Sequence, residues 1–335
     1  MKKSLLFVIL TVFLLFNLVG NPVSETEDSN NLTVYVYDSF VGEWGPGNKI
    51  SKDFTSKTGI PVDMISCGTA IQLLQRIESE GSSSPCDVVI GIEDSSILDS
   101  SLFSKVDFSI NLAQTLKMDN NLVPFDYGAY SFNVNSNILE EKDWPKSLED
   151  LTDSRFENKV ILIDPRTSGT GQGLLLWTIK AFGEDHYLDW WRMMKDNALT
   201  IADGWSSAYG LYTEGEAPIV LSFTTSPVYH AMYEDTTSYC SIPFTDGNYK
   251  ITEYAGILKT SNKQDQAQMF MNYILNDAQV DIATANSMLP ANADTILPEA
   301  FKYADRPVNL FQLDKEYIEE NLDKWLKDWA LVMTE

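Results

Sequence analysis

Three apolar runs near the start of the chain decide the fold: LTVYVY at Leu32–Tyr37, VDMIS at Val62–Ser66 and DVVIG at Asp87–Gly91. Each run is short and rich in β-branched residues, which is typical of a buried strand. Helix-like segments at about Lys49–Lys57 and Ile71–Glu80 separate the three runs. This alternation of strands and helices with short loops predicts a parallel sheet covered by helices.

The same alternation returns later in the chain. The strands and helices predicted there are, in order, Val160–Ile163, about Gly173–Phe182, His186–Lys195, Leu199–Ile201, Ser206–Tyr212, Pro218–Phe223 and Pro227–Glu234. Two extended segments, Leu122–Asn135 and Tyr249–Leu258, are long enough to run from one half to the other. We therefore expect two α/β lobes joined by two crossing hinge strands, with a ligand in the cleft between them.

These segments also define a domain organisation. Its expected parts are an export segment at 1–22, a polar tether at 23–31, lobe 1 at 32–125 and about 254–292, and lobe 2 at 126–253 and about 293–335. Lobe 2 includes a last helix at about Lys315–Met333, which we expect to pack on that lobe. No other segment is long and apolar enough to span a bilayer.

The N-terminus indicates export. Lys2 and Lys3 precede an apolar run at Leu5–Val19, and a polar stretch at Ser24–Asn31 follows. This order is that of a secretory signal or of a short uncleaved anchor with a flexible tether, and the sequence leaves both open. No cysteine lies near the end of the apolar run, so lipid attachment to a cysteine there is excluded. We expect a periplasmic or other extracytoplasmic location.

The charge excludes one class of partner. With 24 Lys and Arg against 48 Asp and Glu, the formal net charge is −24. Nucleic-acid binding relies on basic side chains, so no nucleic-acid partner is expected. The chain has three cysteines, Cys67, Cys86 and Cys240. A Cys67–Cys86 disulfide stays open, although we favour free thiols. With no CxxC pair and only two histidines, we expect no metal site.

Candidate ligand-binding residues follow from the ends of the predicted strands, where α/β sheets bind ligands. These ends are rich in aromatic and hydroxyl side chains and poor in catalytic bases: Tyr37–Phe40, Trp44–Gly47, Ser66–Thr69, Asp164–Ser168, Asp203–Trp205 and Thr224–Tyr229. The run from Ser168 to Gly173, SGTGQG, lacks the third glycine of a dinucleotide fingerprint. It is interpreted either as a helix N-terminus that binds an oxygen-rich group or as a tight turn without ligand.

Several blocks of the sequence, in order from Leu32 to His230, resemble the thiamine-binding proteins of ABC importers. The blocks are LTVYVYDSF and WGPG, LLQRIESEG, CDVVIG, VPFDYG, DPRTS followed by GLLLW, GWSSAYGL, and LSFTTSPVYH, with weaker similarity to about Asn292. The resemblance implies a type II periplasmic-binding-protein fold. It also implies capture of thiamine, or thiamine mono- or diphosphate, and delivery to the membrane permease of an ABC transporter. We expect a monomer without a catalytic site or cofactor.

Carried over residue by residue, the resemblance implicates six side chains in ligand binding: Tyr37, Trp44, Ser168, Trp205, Thr224 and Tyr229. Thiamine carries a cationic thiazolium ring, and aromatic faces attract a flat cation. Ser168 and the helix N-terminus after Gly171 would meet the oxygen-bearing end of the ligand.

Three departures from the family pattern affect the expected ligand. The family has an acidic residue followed by glycine where this chain has Thr69-Ala70. It has a tryptophan late in the fold, near the position of Ser287, and a tyrosine where this chain has Phe223. A lost carboxylate removes repulsion toward phosphate. We therefore predict that Thr69 binds the phosphate end and that phosphorylated thiamine is tolerated at least as well as thiamine.

Two rival functions remain from the sequence. A thiamine-degrading transferase of this general fold would use Cys67 as its nucleophile, but the sequence offers no base to activate that thiol. The same fold is also able to bind another cation, such as iron or a polyamine. No adjacent tyrosine pair is present for iron, and the predicted strand ends offer few carboxylates for a polyamine.

Overall fold

The computed structural model describes residues 30–96, 100–118 and 121–335, of which 31–335 form one structural unit. The predicted export segment at 1–22 lies outside the described residues, as does the tether apart from its last two residues. Within the described ranges, no helix combines the length and the apolar character needed to cross a membrane.

The first half of the sheet forms as the apolar runs predict. Strands β1 (Leu32–Val36), β2 (Val62–Ser66) and β3 (Val88–Glu93) are parallel and lie in the order β2-β1-β3. The helices of this half are α1 (Asp38–Val41), α2 (Gly47–Thr58) and α3 (Ala70–Glu80). Side chains of β1 alternate between two apolar clusters, so Val34 packs in the cluster with α2 and Tyr35 in the cluster with α3.

The second half repeats this arrangement. Its strands β6 (Val160–Ile163), β7 (Ala198–Ala202) and β8 (Ile219–Phe223) are parallel and lie in the order β8-β6-β7. Its helices are α4 (Gly169–Phe182), α5 (Tyr187–Asn197), α6 (Trp205–Thr213) and α7 (Pro227–Tyr233). A single large apolar cluster that includes Trp177, Trp190 and Trp191 fills this half.

Two long strands connect the halves, as predicted. β5 (Val123–Asn135) and β10 (Asn248–Leu258) are antiparallel neighbours at the centre of one continuous sheet. β10 pairs antiparallel with β3, and β5 pairs antiparallel with β8. β5 leaves β10 after Ala129 and pairs with β8 from Tyr130 onward. The short strands beside them are β4 (Phe103–Ser104), β9 (Tyr239–Ile242), β11 (Leu289–Pro290) and β12 (Leu310–Phe311).

Three further helices complete the fold. α8 (Gln264–Leu275) and α9 (Gln279–Ala285), which are not among the predicted helices, pack into the apolar cluster of the first half. α10 (Lys315–Thr334) matches the predicted last helix and packs on α5, where the Trp191 and Trp329 rings lie 5.7 Å apart. Single-turn 3-10 helices lie at Gly81–Ser83, Ser100–Leu102, Glu141–Asp143, Asp150–Thr152, Ser154–Phe156 and Glu299–Tyr303.

Candidate functional site

A cavity lies between the two halves of the sheet, beyond the carboxyl ends of β1, β2, β6 and β7. We call it the interlobe cleft. Its lining residues are Tyr37, Asp38, Ser39, Thr69, Ala70, Glu93, Ser168, Gly169, Thr170, Trp205, Phe223, Glu253, Asn286 and Met288. Four of the residues predicted to bind ligand line this cavity: Tyr37, Thr69, Ser168 and Trp205. Each follows a parallel strand, which is where an α/β sheet presents its ligand site.

Trp205 gives the cleft an aromatic wall with a fixed orientation. It is the first residue of α6, and its ring stacks on Tyr209 with the centroids 4.8 Å apart. Its indole Nε1 donates a 2.9 Å hydrogen bond to Ser222 Oγ. The Phe223 ring lies 6.3 Å from Trp205 and extends the same wall. Because both stacking and hydrogen bonding hold the indole, the ring is positioned before any ligand arrives.

Tyr37 belongs to the floor of the cleft. Its hydroxyl lies 3.0 Å from Glu253 Oε2 and 3.0 Å from Asn286 Oδ1. Burial, followed by the nearby charge of Glu253, raises the pKa of Tyr37 well above its usual value, so the hydroxyl keeps its proton and donates it. A Cβ at Gly91 would lie 2.1 Å from the Tyr37 ring, so glycine is needed there for the ring to fit.

Thr69 joins the two halves. Its hydroxyl donates a 2.6 Å hydrogen bond to the carbonyl oxygen of Thr167, which lies in the loop before α4. The same hydroxyl accepts a 3.2 Å bond from the Gln72 amide, and Gln72 Oε1 accepts from the Thr69 amide at 2.9 Å. This pair of bonds is a capping box at the start of α3. The proton of the Thr69 hydroxyl is therefore used in the hydrogen bond to Thr167, in the other half of the molecule.

Helix α4 begins four residues earlier than predicted, at Gly169 rather than about Gly173, so the predicted helix start is wrong. Ser168 is its N-cap, and the Ser168 side chain makes no capping bond. The glycines allow close packing: a Cβ at Gly169 would lie 2.1 Å from Glu93 Oε2, and one at Gly173 would lie 2.2 Å from the Tyr130 ring. Gly169 and Thr170, in the first turn of α4, line the cleft beside Ser168, and the first-turn amides of a helix have no partner within the helix.

The other three predicted residues do not line the cleft. Trp44 is 64% exposed, and its ring meets the Tyr229 ring edge-on with the centroids 5.9 Å apart. This contact joins a loop of the first half to α7 of the second. Thr224 is 2% exposed, and its carbonyl oxygen accepts hydrogen bonds from Ser241 Oγ and from the Asp305 amide.

The structure also places in the cleft two carboxyl groups that are not among the predicted site residues, Glu93 and Glu253, each 6% exposed. Burial, and then the charge of Glu253, raises the pKa of Glu93 to about 8. Burial also raises the pKa of Glu253. Neither carboxyl group is among the predicted strand-end residues. Glu93 is the last residue of β3, so it lies at a strand end like the predicted residues, whereas Glu253 lies inside β10.

Comparison with known proteins identifies the family. Residues 74–321 match the bacterial extracellular solute-binding proteins. The chain belongs to this family. This solute-binding protein is 36% identical over 305 residues to the thiamine-binding periplasmic protein of Escherichia coli (strain K12), covering 89% of this chain and 92% of that protein. The thiamine-binding periplasmic protein of Brucella melitensis biotype 1 is 34% identical over 329 residues, covering 96% of this chain and 97% of that protein.

A solved structure described as a periplasmic thiamin binding protein matches with a TM-score of 0.84 and 34% identity, over 91% of this chain and 96% of that one. The predicted two-lobed fold and the resemblance to thiamine-binding proteins are thus confirmed. As its relatives are periplasmic, the solute-binding protein has an extracytoplasmic location, which was also predicted.

The cysteines of this solute-binding protein are free thiols in the structure. Cys67 does not line the cleft, and its Sγ accepts a 3.6 Å bond from Arg76. Burial raises the pKa of the Cys67 thiol, whereas a nucleophilic cysteine needs a lowered pKa. Within the described residues, no group of three or more His, Cys, Asp or Glu side chains is arranged to hold a metal ion.

Proposed function

We propose that this solute-binding protein captures thiamine, or its mono- or diphosphate, in the interlobe cleft and delivers it as a monomer to the membrane permease of an ABC transporter. The observation that carries the proposal is the joint placement of Trp205 and Ser168 on the lining of one cavity. The lining of the cleft offers an aromatic face together with a hydroxyl and the first turn of a helix. Its relatives are named thiamine-binding periplasmic proteins.

The aromatic and the polar groups that line the cleft fit the two chemistries of thiamine. The thiazolium ring is a flat cation, and an aromatic face stabilises such a ring by about 0.5–2 kcal/mol, more where water is excluded. We assign this role to Trp205, with Tyr37 opposite on the floor. The hydroxyethyl arm, free or phosphorylated, would then lie near Ser168 and the first-turn amides of α4, which stabilise oxygen-bearing or anionic groups.

Capture and release require the cleft to open and close. We propose that the halves rotate about β5 and β10, with lobe boundaries near residues 125 and 254. Three contacts would hold the closed state: the Thr69–Thr167 hydrogen bond, the ring contact of Trp44 with Tyr229, and a 2.8 Å bond from Gln172 Nε2 to the Ser95 carbonyl. In this arrangement Trp44 and Tyr229 act at the rim of the closed cleft.

We propose binding without catalysis. The relatives are binding proteins, and Cys67 lies away from the cleft with a raised pKa. Incubation of the protein with thiamine and an added nucleophile, followed by chromatography for the free pyrimidine, tests this point. Release of the pyrimidine that depends on Cys67, and that disappears in Cys67→Ser, would establish the transferase instead.

The ligand itself is tested by calorimetry. The purified protein should bind thiamine, thiamine monophosphate or thiamine diphosphate with a dissociation constant of about 1 μM or tighter. Mass spectrometry of small molecules released from the protein by denaturation should find the same compound. The proposal fails if none of the three gives heat or a thermal shift, or if the released ligand is iron or a polyamine.

A further inference from the structure

Three carboxyl groups stand in a row across the centre of the sheet. Glu253 of β10 lies directly opposite Glu93 of β3 in the antiparallel ladder, and directly opposite Asp126 of β5 on its other side. Directly opposed residues project from the same face with their Cβ atoms about 4.5–5.5 Å apart. We call Glu93, Glu253 and Asp126 the carboxylate row. Like charges at opposed positions destabilise a sheet, so the row needs an explanation.

The row is buried and has no cation of its own. Asp126 is fully buried, and Glu93 and Glu253 are each 6% exposed. Among the residues that the structure describes, no Lys, Arg or His forms an ion pair with any of the three. Their pKa values are set by burial, by neighbouring carboxylates and by hydrogen bonds. Buried carboxylates without a positive partner are costly, and proteins normally pair them or protonate them.

The hydrogen bonds of the row are unequal. Asn286 Nδ2 donates to Asp126 Oδ2 at 2.8 Å and lies 3.3 Å from Glu253 Oε2, which also accepts from the Tyr37 hydroxyl. Burial, and then the charge and hydrogen bonding of Glu253, raise the pKa of Asp126 well above its usual value, so this carboxyl group keeps its proton. Glu93 has only long contacts, at 3.4 Å to the Tyr130 hydroxyl and 3.5 Å to Ser95 Oγ. Asn286 and Tyr37 therefore hold the inner part of the row, and Glu93 is left weakly bound beside the cleft.

We propose that Glu93 and Glu253 are the counter-ions that select a positively charged ring in the interlobe cleft. Both line the same cavity as Trp205 and Tyr37, so an aromatic wall and negative charge meet in one place. That combination recognises a flat organic cation better than a neutral ring of the same shape, because the cation gains from both. This inference rests on the proposed function and adds that the protein recognises its ligand by the positive charge of the ring.

A proton accompanies this recognition. With burial and Glu253 raising the pKa of Glu93 to about 8, Glu93 holds a proton at neutral pH when the cleft is empty. The other groups that act on Glu93 are Asp94, the next residue in the chain, whose charge raises this pKa, and Tyr130 and Ser95, whose hydrogen bonds lower it. A bound cation favours the ionised carboxylate, so ligand binding near pH 7 releases a fraction of a proton to solvent.

The neighbouring Asp94 provides a matched control. It follows Glu93 in the chain, and burial raises its pKa to about 7, but it does not line the cleft. Gln312 Nε2 donates a 2.8 Å hydrogen bond to Asp94 Oδ2, and Asp94 is not part of the carboxylate row. Asp94→Asn thus removes a titrating carboxyl of similar pKa from the same strand end while leaving the cleft lining intact.

The experiment compares two ligands on four proteins. Wild type, Glu93→Gln, Glu253→Gln and Asp94→Asn are titrated with thiamine and with its uncharged thiophene isostere, in which carbon replaces the positively charged nitrogen. Both Gln variants should bind thiamine about tenfold or more weakly while binding of the isostere changes by less than about threefold. Asp94→Asn should leave the affinity for thiamine and the affinity for the isostere within about threefold of wild type. Circular dichroism confirms that each variant is folded.

Proton release gives a second readout. Calorimetry of thiamine binding near pH 7.5 in two buffers of different ionisation enthalpy should show proton release by wild type and much less by Glu93→Gln. Because the charge of Asp94 raises the pKa of Glu93, Asp94→Asn should release an intermediate amount. If wild type binds thiamine but both Gln variants keep the full preference for the cation, the counter-ion assignment is wrong and the proposed function stands. If wild type binds neither thiamine nor its phosphates, the proposed function fails and this inference fails with it.

Discussion

The hydroxyl of Thr69 reaches across the interlobe cleft to the carbonyl oxygen of Thr167, at a distance of 2.6 Å. The same hydroxyl caps helix α3 by accepting from the Gln72 amide. One oxygen atom therefore contributes both to the stability of the first half and to contact with the second. Substitutions at this position separate the two contributions, because some side chains keep the cap and lose the bridging bond.

Thr69→Val should lower the free energy of unfolding by about 0.5–2 kcal/mol, since valine has nearly the shape of threonine but cannot cap α3. Thr69→Ser keeps the hydroxyl and should remain close to wild type. Urea denaturation followed by circular dichroism measures both variants. Equal stability of the valine and serine variants would show that the hydroxyl contributes nothing at this position.

Thr69→Asp should shift ligand preference toward unphosphorylated thiamine. Aspartate is as good an N-cap as threonine, so α3 stays capped, but its charge repels a phosphate near Ser168 and the α4 N-terminus. Thr69→Asn is the matched control, because asparagine has the same shape as aspartate and also caps the helix but carries no charge. Titration with thiamine and thiamine diphosphate gives the affinity ratio for each protein. An unchanged ratio in Thr69→Asp would mean that Thr69 lies away from the phosphate.

Trp205→Ala should weaken ligand binding by about 1–3 kcal/mol, through loss of ring stacking and cation–π attraction. Trp205→Phe keeps an aromatic face but loses the bond to Ser222, so its loss should be smaller. Calorimetry measures affinity, and thermal unfolding reports folding separately. If the alanine variant binds normally, the aromatic wall does not contact the ligand.

Tyr229→Ala should also weaken binding, and its effect should depend on Trp44. The two rings touch edge-on, a contact that contributes about 0.5–1.5 kcal/mol beyond burial. If the pair acts by closing the rim, then Trp44→Ala, Tyr229→Ala and the double variant should show non-additive losses of affinity in a double-mutant cycle. Strictly additive losses would instead indicate that each ring contacts the ligand independently.

The contribution of Glu93 to the stability of the ligand-free protein should fall as pH rises from about 4.3 to about 8. An unfolded glutamate ionises near pH 4.3, whereas the pKa of folded Glu93 is raised to about 8. Between these values the folded state binds more protons, so stability from this group is complete below pH 4.3 and is lost through pH 8. The free energy of unfolding of Glu93→Gln minus that of wild type should therefore be more positive at pH 8 than at pH 5. Urea denaturation at both pH values measures this difference. An identical difference at both values would contradict the raised pKa.

Local patterns were sufficient to predict most of the fold. β2 and β6 lie at the predicted residues, because each apolar run is bounded by turn residues that end the strand. Helix α8 was missed although its buried residues Ala267, Phe270, Met271 and Ile274 have helical spacing. The start of α4 was placed too late because three glycines resemble a loop. They are helical here because close packing against Glu93 and Tyr130 outweighs their low helix propensity.

The candidate site was predictable only where it follows strand ends. Tyr37, Thr69, Ser168 and Trp205 follow strand ends, and Glu93 obeys the same rule at the end of β3, which extends two residues beyond the predicted strand. Glu253 carries no such local signal. It reaches the cleft because of its register with β3, and the pairing of residues 160 positions apart in sequence is set by tertiary packing.

The discontinuous first half has a consequence for the order in which the chain matures. Its strands β1 to β3 are synthesised early, but its apolar core also takes Phe270 from α8 and Ile282 from α9, and its sheet needs β10. None of these has been made until most of the chain has emerged from the ribosome. The first half therefore cannot complete its core during early synthesis, which leaves the nascent chain without a folded N-terminal domain until β10, α8 and α9 have been made.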